Sequence, residues 1–154
     1  MNSVIEYYSN TIVTKSRGVL EYLTLGRWGR ICTLDFSTGI LEETTIRFTK
    51  VTMLQHRLRK FDAVDYSYQF LSEKGLHGVH NEIGVFRVGL RIAESQTIFP
   101  LAVFKGAFSS ADGISGVVVS LFPDSCDGSD ITHEVASRSL ANMLCQKLHL
   151  KLAI

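Results

Sequence analysis

No CxxC pair occurs in this sequence, and its three cysteines, Cys32, Cys126 and Cys145, are odd in number and far apart. That spacing excludes a zinc knuckle and a thioredoxin-type redox pair, and it predicts reduced thiols and a cytoplasmic setting. There is no basic leader followed by the apolar stretch of a secretory signal. The longest apolar runs, Ile98–Phe104 and Gly116–Phe122, fall far short of the ~20 residues that a membrane span requires. GxSxG and GxxxxGK[ST] are both absent, so neither a hydrolase elbow nor a phosphate loop is encoded. Charge of one sign is lacking too. The formal net charge is +1, and nucleic acid is therefore not an expected partner.

What is present describes an ordinary globular chain. Its 154 residues read as one domain, 1–154, with 45% apolar and 20% charged residues. A chain of this size buries roughly 70% of its unfolded surface, enough for a core without staples. The mean hydropathy of +0.14 is high for a free monomer. A β-rich core accounts for it, and so does an apolar surface used for self-association or for a partner. Charge is unevenly spread: residues 1–60 carry nine Lys/Arg and five Asp/Glu, residues 61–154 seven and ten. Such asymmetry can orient a molecule on a charged surface, provided folding does not mix the two halves.

Alternation of apolar and polar residues predicts strands at Val19–Leu25, Ile31–Phe36, Thr44–Phe48, Tyr66–Leu71, Val85–Ile92 and Thr97–Phe104. Residues 4–13 read as a first strand or a short docking helix, and Lys15–Gly18 as a break. Asp35–Gly39 is a hairpin signal, with Gly39 available for a positive φ. Val51–Leu58 fits both helical and strand spacing and is read as a continued strand. Phe61–Asp65 reads as a turn, Ser72–Glu82 as the longest loop and Gly116–Phe122 as a short apolar strand. Ala136, Leu140, Met143, Leu144 and Leu148 form one stripe of a helix over Ile131–Leu148, N-capped by Ser129 or Asp130. In Val85–Ile92, the face bearing Phe86, Val88, Leu90 and Ile92 is expected to point inward.

The fold class expected is α+β, mostly β: a curled antiparallel sheet or small barrel with a C-terminal amphipathic helix. This order of elements, over roughly residues 19–148, resembles a pleckstrin-homology-like roll, a bent sheet plugged at one end by its last helix. The resemblance is one of architecture and implies no functional residues.

Motifs that carry chemistry are weak. His77 and His80 are two imidazoles where zinc takes three or four ligands. His133-Glu134 is not HExxH, because position 137 is Ser137. Asp124, Asp127 and Asp130 lack the remaining ligands of a calcium loop. Ser37, Ser109, Ser110 and Cys32 are nucleophiles only with a base nearby. No catalytic residue, metal or cofactor is expected. The richest segment is Arg47–Lys60, which holds Arg47, Lys50, His56, Arg57, Arg59 and Lys60 without one acid. It suits an anionic lipid surface or an acidic partner, or merely guards an edge strand against aggregation. Trp28, between two glycines and beside Arg27 and Arg30, is either an interface anchor or a cap on one end of the sheet.

Three functions follow as expectations. The first is a non-enzymatic adaptor that binds a protein partner, or a second copy of itself, through a sheet edge, the helix flank or the Trp28 loop. The second is a peripheral module that touches anionic lipid with residues 47–60. The third is a carrier or enzyme with a small-molecule pocket inside the barrel, against which the scarcity of convergent polar residues argues.

Overall fold

The computed structural model describes residues 2–17, 23–74, 80–108 and 130–153. Five strands form an antiparallel meander in chain order: β1 (Asn2–Tyr7), β2 (Thr11–Arg17), β3 (Trp28–Asp35), β4 (Ile40–Arg47) and β5 (Lys50–Arg57). A single 3-10 turn (Leu58–Lys60) then leads into a second sheet. That sheet holds β6 (Phe61–Lys74), β7 (His80–Ile92) and β8 (Ile98–Phe108), in the order β8-β7-β6-β9. Helix α1 (Asp130–Leu148) follows, and β9 (Lys151–Ala153) adds in parallel to β6.

The chain is thus mostly β with a C-terminal helix, as expected, but two separate sheets stand where a closed barrel was one expectation. The 3-10 turn at Leu58–Lys60 is where the chain leaves one sheet for the other. Leu58 is buried there and its N–H donates to the Gly39 carbonyl, which ties the crossing to the β3–β4 hairpin.

Register assigns the faces. Ile12, Cys32, Leu34 and Leu41 share the inner face of the first sheet. They join Val64, Phe86, Val88, Leu90, Phe104 and the helix residues Leu140 and Leu144 in one continuous core. The predicted stripe of α1 is the face that packs, over a length of about 28 Å, against β6, β7 and β8. Val135, on the flank of the stripe, is exposed. The helix ends where His149 takes a positive φ of 54° and the Leu150 N–H reaches back to the Cys145 carbonyl at 3.2 Å, a left-handed C-terminal cap.

Several expectations are corrected. Residues 4–13 are neither one strand nor a helix. They contain the β1–β2 turn, closed by the Tyr8 N–H on the Thr11 carbonyl at 2.8 Å. Lys15 does not break a strand but lies within β2 and pairs with Glu6 at 2.6 Å. Leu25 and Gly26 have positive φ, which ends any strand before them; Val19–Tyr22 lie outside the described residues. Trp28 and Gly29 belong to β3 rather than to a loop. Phe61–Asp65 is strand, because Phe61, Ala63 and Val64 are all buried in the second sheet. The loop expected over Ser72–Glu82 is shortened from both sides by β6 and β7; His77 lies outside the described residues, as do Ser109, Ser110, Gly116–Phe122, Asp124, Cys126 and Asp127.

Candidate functional site

A β-sheet edge presents unpaired N–H and C=O groups, and native proteins usually cover or blunt it. The edges of this fold are treated unequally. β9 covers β6. β8 is met by side chains of the first sheet: Thr14 Oγ1 donates to the Leu101 carbonyl at 3.0 Å, Arg30 Nη1 to the Pro100 carbonyl at 2.5 Å, and the Val103 N–H to Ser3 Oγ at 3.0 Å. β1 lies against β8. β5 pairs with β4 alone, and seven of its eight residues are exposed.

The backbone direction of that edge follows from its hairpin. Only Phe48 and Thr49 separate Arg47 from its partner Lys50, so this is a close hydrogen-bonded pair. Alternation along the ladder turns the N–H and C=O of Val51, Met53, Gln55 and Arg57 outward. The side chains on this strand are unusual for a bare edge. Val51, Met53 and Leu54 are 59%, 58% and 51% exposed, and Phe48 in the turn is 59% exposed. Ile46 pairs with Val51 and Thr44 with Met53, so the apolar surface continues inward from the edge.

The basic residues do not form one patch. Lys50 and Arg57 sit at opposite ends of β5, about 23 Å apart along the strand. Arg47 stays with the Lys50 end, where its guanidinium lies 5.7 Å from the Trp28 ring centre and Trp28 meets Phe48 edge-on at 5.5 Å. Trp28 is therefore half-buried under these two, and Arg27 is exposed beside it. Arg30 does not join them. Two residues further along the same face of β3, it pairs with Glu43 and lies 4.8 Å over the Phe99 ring, an inter-sheet contact. Lys60 is half-buried in the 3-10 turn, and its carbonyl accepts the Ala93 N–H.

At the other end of β5, Arg57 and Arg59 line a cavity of about 580 Å³ with Thr38, Gly39, Gln55 and His56. The His56 ring packs edge-on to Phe99 at 5.2 Å, and its Nε2 is buried without a hydrogen-bond partner. Two carboxylates lie nearby and both are engaged. Asp35 Oδ1 accepts the N–H groups of Ser37 and Thr38, and the Ser37 bonds hold its carboxyl below the usual range. Glu42 accepts from Gln55 at 3.1 Å. The β3–β4 hairpin and the basic run are each visible in the sequence. Their meeting depends on a register that alternation alone does not reveal.

A second cavity of about 600 Å³ opens between β1, β8 and α1, lined by Ile5, Tyr7, Phe104, Val135 and Ala136 with the Ser3 and Ser139 hydroxyls. It brings no acid–base pair together. Among the described residues no three His, Cys, Asp or Glu side chains converge, and no helix is long and apolar enough to cross a membrane. No protein-family model matches the chain, and neither a curated protein nor a solved structure matches it.

Proposed function

We propose that this protein is a non-enzymatic binding module, a roll of the pleckstrin-homology kind, whose β5 edge takes up an extended segment of a partner protein. The observation that carries this reading is the β5 edge, which has a strand partner on one side only and is set with exposed Val51, Met53 and Leu54. Strand addition supplies main-chain hydrogen bonds for affinity and side-chain contacts for selectivity.

Charge argues for the kind of partner. Two copies of β5 paired antiparallel about Met53 would bring the Lys50 end of each strand beside the Arg57 end of the other, with Lys50 opposite His56. Positive charge gathered at both ends of such a pair opposes it. A segment with an apolar, β-branched middle and an acid at each end meets the same edge with attraction instead, in either direction.

The test is selection of peptides from a random display library, followed by binding to the wild type and to Met53→Pro. That substitution removes an outward N–H and leaves the β4 ladder intact. Enrichment of acid-bracketed apolar peptides that protect β5 amides from exchange and fail on Met53→Pro supports the reading. No enrichment, or equal binding to Met53→Pro, overturns it. Salt-sensitive pelleting with phosphatidylserine vesicles, lost on changing Arg57, Arg59 and Lys60 to Glu, would favour the lipid-binding alternative.

A further inference from the structure

We propose that the cavity at the end of β5, walled by Thr38, Gly39, Gln55, Arg57 and Arg59, is a binding site for an oxyanion, a carboxylate or phosphate. The assignment of that anion to a docked partner segment rests on the edge reading above; the site itself does not.

Most of the other arginines are already engaged, and Arg27 stands exposed beside Trp28, at the Lys50 end of the sheet. Arg30, Arg91 and Arg138 are each paired with a carboxylate, Arg87 donates to Gln69 Oε1 and Arg47 lies over Trp28. Arg57 and Arg59 make no ion pair among the described residues, and both line the same cavity. No carboxylate lines it, since Asp35 is satisfied by the turn amides and Glu42 by Gln55. The Thr38 side chain is engaged with Asp35 and the Gln55 amide donates to Glu42, which leaves the two arginines as the charged groups of the lining. Two guanidiniums at one concavity provide the planar, forked donors that bind carboxylate and phosphate best.

Backbone geometry keeps the two arginines together. Arg57 ends β5, Arg59 lies in the 3-10 turn, and the Leu58 side chain between them is buried in the core. Gly39 forms the opposite wall at φ +69°, with open space where a Cβ would stand. Arg57 is also a residue whose backbone groups turn outward along the free edge. The cavity is therefore placed to receive the terminal acid of a segment lying along β5.

Inorganic phosphate is the first probe, titrated into the full chain and followed by amide NMR. Saturable shifts confined to Thr38–Ile40 and Gln55–Arg59 are expected, with affinity falling about tenfold or more in Arg57→Gln/Arg59→Gln and unchanged in Met53→Pro. Absence of saturation by about 10 mM, equal shifts in the double variant, or shifts spread over Arg27, Lys50 and Lys147 would overturn the site. The source is settled by a blocked octapeptide with Asp at both ends of a Val/Thr core, compared with its Asn-ended twin and with phosphatidylserine vesicles. A preference for Asp that vanishes in the double variant, while Met53→Pro loses both peptides, assigns the anion to a docked segment. Phosphate binding with neither peptide bound leaves the site standing and overturns the edge reading. Vesicle binding that depends on Arg57 and Arg59, in place of peptide binding, overturns the segment as the source.

Discussion

Cys32 shows what one buried side chain does to the stability of the whole chain. It is 1% exposed beneath the first sheet, and burial pushes its thiol from 9.0 up to about 11. A group whose acid form is favoured in the fold stabilises below its unfolded pKa and ceases to do so as pH rises through the folded value. Stability is therefore expected to fall between pH 9 and 11. The chemical denaturation midpoint measured across that window should flatten in Cys32→Val. Iodoacetamide at about pH 8.5, near the ordinary thiol pKa, should modify Cys32 only as fast as the chain opens. Gly89 is a second single-residue constraint. A Cβ there would lie 2.8 Å from the Phe99 carbonyl oxygen and 2.7 Å from Ile98 Cγ2. Ile98 can rotate away, but the backbone oxygen cannot. Gly89→Ala is expected to cost about 1–3 kcal/mol, read as a lowered melting temperature.

The elements differ in how openly their residues announce them. Helix α1 is legible because Ala136, Leu140, Met143, Leu144 and Leu148 repeat at the helical period on the face that packs. Leu144, fully buried, is expected to lose about 2–5 kcal/mol on change to Ala. Leu140→Asp with Leu144→Asp should abolish the cooperative melt altogether. β7 is legible for the same reason at period two, although Val85 on its other face is also fully buried. The β1–β2 hairpin is not. Its turn, Tyr8–Asn10, has no glycine or proline to mark it, and Lys15 looks like a breaker until its ion pair with Glu6 is seen. β9 has three residues and is held by β6 rather than by any pattern of its own. β5 is ambiguous for a physical reason as well. A strand exposed on both faces has no burial to impose alternation, so Lys50–Arg57 reads almost as well at helical spacing.

At the scale of the molecule, what decides behaviour is which edges are closed. Composition and order of elements lead to a mostly β chain with a final helix, but not to two sheets in place of a barrel, because sheet partnership depends on contacts between distant residues. The basic residues of Arg47–Lys60 are visible in the same way; their division between two ends of one strand is not. That division predicts a simple charge experiment. Lys50→Glu would bring a carboxylate to the Arg57 end of the facing copy in a self-paired β5, turning two repulsions into two attractions. Self-association in sedimentation velocity is expected to strengthen by about 1–2 kcal/mol, roughly tenfold, and to fade as salt screens it. The other edge of interest, β8, holds an irregularity with a different outcome. Leu101 is the extra residue where β8 slips past Val88 and Gly89. The carbonyls at this slip, those of Pro100 and Leu101, are the ones that Arg30 and Thr14 grasp from the neighbouring sheet. A flawless ladder at that point would leave the two layers joined largely by oily contact, which resists separation but not sliding. The flaw acts as a detent: by spoiling one row of stitching it locks the layers against shear.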